Sequence, residues 1–106
     1  MKKIIFHLFQ RAFNLIELGA YISASGVITF KKSKDLADTF KELPNEKILV
    51  ETDSPYLAPV PLRGKSNEPS NIKYTVKFLS DLKKISFKDF SNITSDNFFK
   101  LFGKLN

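Results

Sequence analysis

A chain of 106 residues, 42% hydrophobic and 26% charged, has enough apolar content for one modest core and too much for wholesale disorder. It contains no cysteine, which excludes disulfides and thiolate metal sites and fits a reducing compartment. The formal net charge of +6 favours anionic partners without naming one.

The start, Met1-Lys2-Lys3 before Ile4-Ile5-Phe6, imitates a signal peptide. His7 interrupts the apolar stretch, Gln10-Arg11 halts it, and no small-residue cleavage site follows. No segment approaches the ~20 apolar residues that span a bilayer. A cytoplasmic protein without membrane contact is the expectation.

Residues 8–18 place Leu8, Ala12, Leu15 and Ile16, with Phe9 and Phe13, at helical spacing, and Gly19 stops that helix as a C′ glycine. Ala20 to Ala24 reads as a short strand ending at Ser25-Gly26. A second helix is predicted over 33–43, with Ser33 as N-cap, Asp35 in the first turn, and Leu36, Ala37, Phe40 and Leu43 on one face. Pro44 ends it, and Glu46 to Asp53 forms the second strand. Helix–strand–helix–strand with short connections is the alternation of a parallel sheet, and apolar strands without clean alternation fit a sheet covered by helices.

Residues 54–68 make a proline-rich loop holding Arg63, Gly64 and Lys65. A helix over 70–84 follows, with Ile72, Val76, Phe78, Leu79 and Leu82 apolar and Lys73, Lys77 and Lys84 exposed. Two short helices are predicted near 86–91 and 94–102, with Ser86 and Thr94 as N-caps. Phe98, Phe99 and Phe102, with Leu101 and Leu105, form a stripe assigned to packing, as core or as a docking face, because base-stacking aromatics are usually interleaved with basic groups in a sheet or loop.

Charge is unevenly spread. Residues 35–53 hold six acidic and two basic groups, whereas residues 54–88 hold seven basic and two acidic. A basic segment after a carboxylate-bearing strand suits a polyanionic substrate, and a solvated lysine face accounts for it equally well.

The most informative stretch is 46–59, Glu-Lys-Ile-Leu-Val-Glu-Thr-Asp-Ser-Pro-Tyr-Leu-Ala-Pro. An apolar run, Ile48 to Val50, ends in Glu51, Thr52 and Asp53, and Pro55 and Pro59 prevent the strand or a helix from continuing. A strand that delivers a carboxylate to its own C-terminal end places a ligand or base at the mouth of an α/β sheet. A turn-opening aspartate is the plainer alternative. The string from Glu51 to Pro59 resembles the C-terminal signature of the TatD family of metal-dependent deoxyribonucleases. Gly19 to Gly26 resembles that family's seventh strand and turn, Pro59 to Pro69 its substrate-side loop, and Ile93 to Phe102 its closing helix. The resemblance covers Ile16 to Phe102.

It implies an α/β fold in which residues 1–106 are the C-terminal part of a TIM-like (β/α)8 barrel, incomplete, with two parallel strands and flanking helices. It implies hydrolysis of phosphodiester bonds in DNA or another phosphoester, using a divalent ion (Mg, Mn or Zn). The family's ligands are His-x-His, a Glu, two further His and a final Asp, and Asp53 matches that Asp as catalytic residue and metal ligand. Arg63 is a bidentate partner for substrate phosphate, or else a salt bridge to Glu68 or Glu51. Lys65 adds a point charge to the substrate site, and Asn67 fixes the loop. The chain departs from the family in having one histidine, so the His-x-His pair cannot be present, and His7 reads as coincidental. Two parallel strands would also leave long unpaired edges. The expectation is therefore a C-terminal third, translated separately, inactive alone, and completed by an upstream fragment that supplies the rest of the barrel. The alternatives are a non-catalytic remnant and a basic nucleic-acid-binding module.

Overall fold

Among the described residues four α-helices and two short parallel strands follow one another in the order α1, β1, α2, β2, α3, α4. A computed structural model describes residues 2–52, 54, 56 and 58–105, with side chains undescribed at 2–9, 104 and 105. Helix α1 (Lys2–Glu17) begins earlier than the 8–18 periodicity predicts and ends where Gly19 should end it. Gly19 has φ +96°, its N–H bonds the Ile16 carbonyl at 2.9 Å, and the Ala20 N–H bonds the Leu15 carbonyl at 3.0 Å. This double closure is the Schellman arrangement, which needs a left-handed residue.

Strand β1 (Ile22–Ala24) pairs in parallel with β2 (Ile48–Val50), Ile22 opposite Ile48 and Ala24 opposite Val50. A further bond from the Glu51 N–H to the Ala24 carbonyl, 2.9 Å, continues the ladder by one residue. Both strands are shorter than predicted. Asn45–Lys47 close a 3-10 turn in which the Lys47 N–H bonds the Pro44 carbonyl at 3.1 Å, so those amides are lost to the ladder. The long unpaired edges expected from the sequence reduce to three residues per strand.

Helix α2 spans Lys34–Glu42. Ser33 precedes it as expected but its hydroxyl makes no capping bond. A 3-10 turn at Lys31–Ser33 runs into the helix and leaves Ser33 at φ −101°, ψ 27°, not in the extended conformation from which a cap reaches forward. Leu43, at ψ 148°, is held extended by Pro44, which stops the helix.

Helix α3 (Ile72–Leu82) closes with the same Schellman bonds as α1: Lys84 N–H to the Asp81 carbonyl at 3.2 Å and Ile85 N–H to the Ser80 carbonyl at 2.9 Å. Here the left-handed position, φ 57°, is occupied by a lysine. The pair makes a controlled comparison. Gly19→Ala should cost about 1 kcal/mol, since nothing lies within 4 Å of the added Cβ and only backbone strain is introduced. Lys84→Gly should gain from a few tenths to about 1 kcal/mol, both read as shifts in the urea midpoint.

The two short helices predicted over 86–91 and 94–102 are one helix, α4 (Phe87–Leu105). Ser86 caps it as expected, accepting the Asp89 N–H at 3.1 Å. Thr94 does not start a helix. Its hydroxyl donates back to the Phe90 and Ser91 carbonyls, at 3.2 and 3.1 Å, a local bond that an unbroken helix tolerates.

The core lies where α2, α3 and α4 meet the strands. Ala24, Ile28, Ala37, Phe40, Leu43, Ile48, Val76, Leu79 and Phe90 are buried together, and each large member contributes roughly 1.5–3 kcal/mol. Ala12 and Ile16 of α1 pack on its margin. The phenylalanine stripe is not part of it. Phe98, Phe99 and Phe102 are 49%, 70% and 48% exposed, with the Phe98 ring edge-to-face with Phe99 at 5.9 Å and tilted against Phe102 at 4.4 Å.

Candidate functional site at the carboxyl ends of the strands

Each strand ends in a segment that turns over the same end of the sheet, because the strands are parallel. After β1 comes a 3-10 turn, Gly26–Thr29, then Phe30 in extended conformation. After β2 come Glu51, Thr52 and the loop to Glu68. Asp53 lies outside the described residues, as do Pro55 and Leu57. Beside Asp53, Thr52 Oγ1 accepts the Ser54 N–H at 3.2 Å and lies 2.7 Å from the Ser54 hydroxyl, closing a tight side-chain turn.

The rest of the loop is tied down at both ends. Ala58 and Pro59 are buried, and the Val60 N–H bonds Thr29 Oγ1 at 2.8 Å, joining segments 31 residues apart. Thr29 donates its own hydroxyl proton to the Gly26 carbonyl at 2.7 Å, which orients the oxygen that accepts from Val60. At the other end Asn67, 4% exposed, donates to the Tyr56 carbonyl at 2.9 Å and accepts from Asn71 at 3.1 Å. Asn67 thus fixes the loop, as the sequence suggests. Between these anchors the Leu62 N–H bonds Pro59 and the Lys65 N–H bonds Leu62, at 2.7 and 3.0 Å, around Gly64 at φ +90°.

Arg63 and Lys65 flank that glycine on the exposed tip. The salt bridge from Arg63 to Glu51 or Glu68 is absent: its guanidinium carbon lies 4.3 Å from the centre of the Phe30 ring instead. Among the described residues the guanidinium meets no carboxylate, and Lys65 likewise has no ion pair. Elsewhere the basic segment is partly spoken for. Lys77 pairs with Asp81 at 2.9 Å. Lys83 donates to the Phe40 and Lys41 carbonyls at 2.9 Å, and to that of Leu43, capping α2 from outside. Burial pushes the Lys83 ammonium below its ordinary pKa, against the opposing pull of Glu42 and Glu46. Neither lysine belongs to a free phosphate-binding face, and the loop tip keeps its charge available.

Among the described residues no three His, Asp or Glu side chains gather where they could hold a metal ion. The sequence offers one histidine and no cysteine, so nitrogen ligands from this stretch are limited to His7, and thiolate ligands are excluded. No helix among the described residues is long and apolar enough to cross a membrane.

Loops stapled over the carboxyl ends of parallel strands, with helices covering the sheet, define an α/β architecture whose ligands meet at that end. The profile of the TatD related DNase family matches residues 1–103, and the chain belongs to that family. It is 47% identical over 94 residues to BU355 of Buchnera aphidicola, an uncharacterized metal-dependent hydrolase, and 43% identical over 93 residues to YcfH of Escherichia coli, also so described. These alignments cover 89% and 88% of this chain but 36% and 35% of the relatives, so the chain spans about a third of their length. The structure is similar to that of the TatD homologue YJJV of Escherichia coli, with a TM-score of 0.80 and 25% identity over 88% of this chain and 36% of the other. It is also similar to a TatD family hydrolase of Entamoeba histolytica, with a TM-score of 0.73 over 84% and 37%.

Three features of the site escape sequence reading: the Phe30–Arg63 stack, the Thr29–Val60 staple and the clamp of Lys83 on α2. Each joins residues far apart in the chain, and a phenylalanine or threonine after a glycine carries no sign of such a partner.

Proposed function

We propose that these residues form the last third of a (β/α)8 barrel that hydrolyses phosphodiester bonds, DNA being the favoured substrate, with a divalent ion (Mg, Mn or Zn). Asp53 supplies one ligand, and the rest come from the preceding strands, on this or another polypeptide. Arg63 and Lys65 meet the substrate phosphates. The observation that carries the reading is the loop tip. Among the described residues the Arg63 guanidinium meets no carboxylate, and it is held against Phe30, from the segment after β1, on the loop that follows β2.

A second feature supports the need for further strands. A groove of about 400 Å³ lies along β2; its lining includes Leu49, Val50, Ile72, Val76, Phe98 and Phe99, and none of the described residues of β1 or of the loop. It therefore lies on the side of β2 away from β1. A strand added to that edge would cover the groove and the phenylalanine stripe, and would account for apolar side chains that the described residues leave exposed.

The test is reconstitution. Mixed with or fused to the preceding two-thirds of a relative such as YcfH, the chain should yield DNA cleavage that depends on added Mg²⁺ or Mn²⁺. No cleavage with either ion by a folded complex overturns the proposal. Phe99→Asp should abolish assembly on size-exclusion chromatography while shifting the chain's own melting midpoint by under about 3 °C, because the side chain is mostly exposed.

A further inference from the structure

We infer that Phe30 is a positioning residue that holds the Arg63 guanidinium ready for a substrate phosphate; this rests on the proposal that the loop tip meets phosphate. The guanidinium carbon lies 4.3 Å from the ring centroid, a stacking distance. A guanidinium held by a ring face spends none of its N–H donors on a carboxylate, and among the described residues none meets one, so the donors stay open to a phosphate. An exposed arginine on a flexible loop would have to lose its rotamer freedom on binding, and a stacked one has already lost it.

The main chain that carries the ring is itself held. The Phe30 N–H bonds the Val27 carbonyl at 3.0 Å and its carbonyl accepts the Ser33 N–H at 2.9 Å, so its backbone is pinned from both sides. Its neighbour Thr29 holds Val60, which sets the register between ring and arginine independently of the stack. The assembly is a platform from the β1 loop, a cation from the β2 loop, and a hydrogen bond that keeps them in step. A salt bridge would have fixed the arginine equally well but would have occupied the donors that phosphate needs.

The test uses the full chain and a short single-stranded oligothymidylate at low salt. Phe30→Leu should weaken binding three- to tenfold, Phe30→Tyr should restore it, and Arg63→Ala should weaken it at least as much as Phe30→Leu. In the Arg63→Ala background Phe30→Leu should have no further effect, because the ring acts only through the arginine. The Arg63 Nε–H signal in the parent should show an aromatic ring-current displacement and move on titration with the oligonucleotide. Additive losses, or full affinity in Phe30→Leu while Arg63→Ala loses it, overturn the role of Phe30 alone. Unchanged affinity in Arg63→Ala overturns the phosphate reading of the tip and this inference with it. If Phe30→Leu does not fold, the parent signal still decides: a shift at the free-arginine position overturns the stack.

Discussion

Asp53→Asn in the completed barrel should lower metal-dependent phosphodiester cleavage by about 10²–10⁴-fold at saturating metal, with the melting midpoint nearly unchanged. Asparagine keeps the shape of the side chain and loses the negative charge and the capacity to accept a proton. An aspartate that only opens a turn would survive the exchange, because asparagine serves that purpose as well. The two readings of the strand-end carboxylate are therefore separated by one conservative substitution. Full activity in Asp53→Asn removes it from the site. A raised metal requirement, measured as the Mn²⁺ concentration giving half-maximal rate, distinguishes lost binding of the ion from lost proton transfer at saturating metal. Ser54, whose N–H is satisfied by Thr52, offers the control: Thr52→Val breaks that local turn and should leave most of the activity.

The parts of the fold that rest on local chemistry are legible in the chain. Gly19 ends α1 through a left-handed residue, Pro44 ends α2 by holding Leu43 extended, Ser86 caps α4, and apolar runs without alternation give a parallel pair. Each depends on residues within a turn of one another. The failures have a common cause. Thr94 has the composition of an N-cap, yet the same hydroxyl satisfies itself on the preceding turn when the helix continues, and no glycine or proline between Phe87 and Phe102 interrupts it. The second strand is shorter than the run from Glu46 to Asp53 predicts because Glu46 and Lys47 are spent on a 3-10 turn, which residue type alone does not reveal. The phenylalanine stripe has helical period whether its face meets this chain or another, so spacing alone cannot assign it to the core.

The candidate site divides in the same way. Asn67 is readable as a loop anchor because asparagine in a proline-rich turn has few other uses. The resemblance of Glu51 to Pro59 points to Asp53 without any geometry. Arg63 is harder, since charge complementarity favours Glu51 or Glu68 and the sequence contains no term for a ring contributed from the other strand's loop. The net charge misleads for a related reason. Lys83 and Lys77 count as two cations in the basic segment, but one is bound to the carbonyls that end α2 and the other to Asp81, so neither is free for a phosphate.

Asn97→Ala should be the most damaging change outside the site, costing about 2–4 kcal/mol and lowering the melting midpoint by roughly 10–25 °C in a domain of this size. Asn97 is 1% exposed on α4, and its amide donates to the Asn45 and Ile48 carbonyls, both at 2.8 Å. The Glu51 N–H points to β1, and alternation along β2 then directs the Ile48 carbonyl to the opposite edge, where no strand among the described residues pairs with it. Asn97 supplies the donor for that carbonyl. Truncation leaves a buried acceptor with no donor and a second one poorly served, and the penalty for the first alone is about 1–3 kcal/mol. Asn97→Asp keeps the size and turns an oxygen on the same carbonyls, so it should be at least as harmful at neutral pH. Its carboxyl, buried among acceptors, would titrate above the unfolded value near 4. A protonated carboxyl can donate one bond, so the damage should grow as pH rises through that window and ease below it. A variant whose stability ignores pH would show that the carbonyls are not its neighbours. Because the same carbonyl fixes the start of the strand from which Glu51, Thr52 and Asp53 follow, activity of the Asn97→Ala barrel should fall with the folded fraction and recover on cooling. Asp53→Asn should not recover, and that difference separates loss of the strand's anchor from loss of the chemistry at its end.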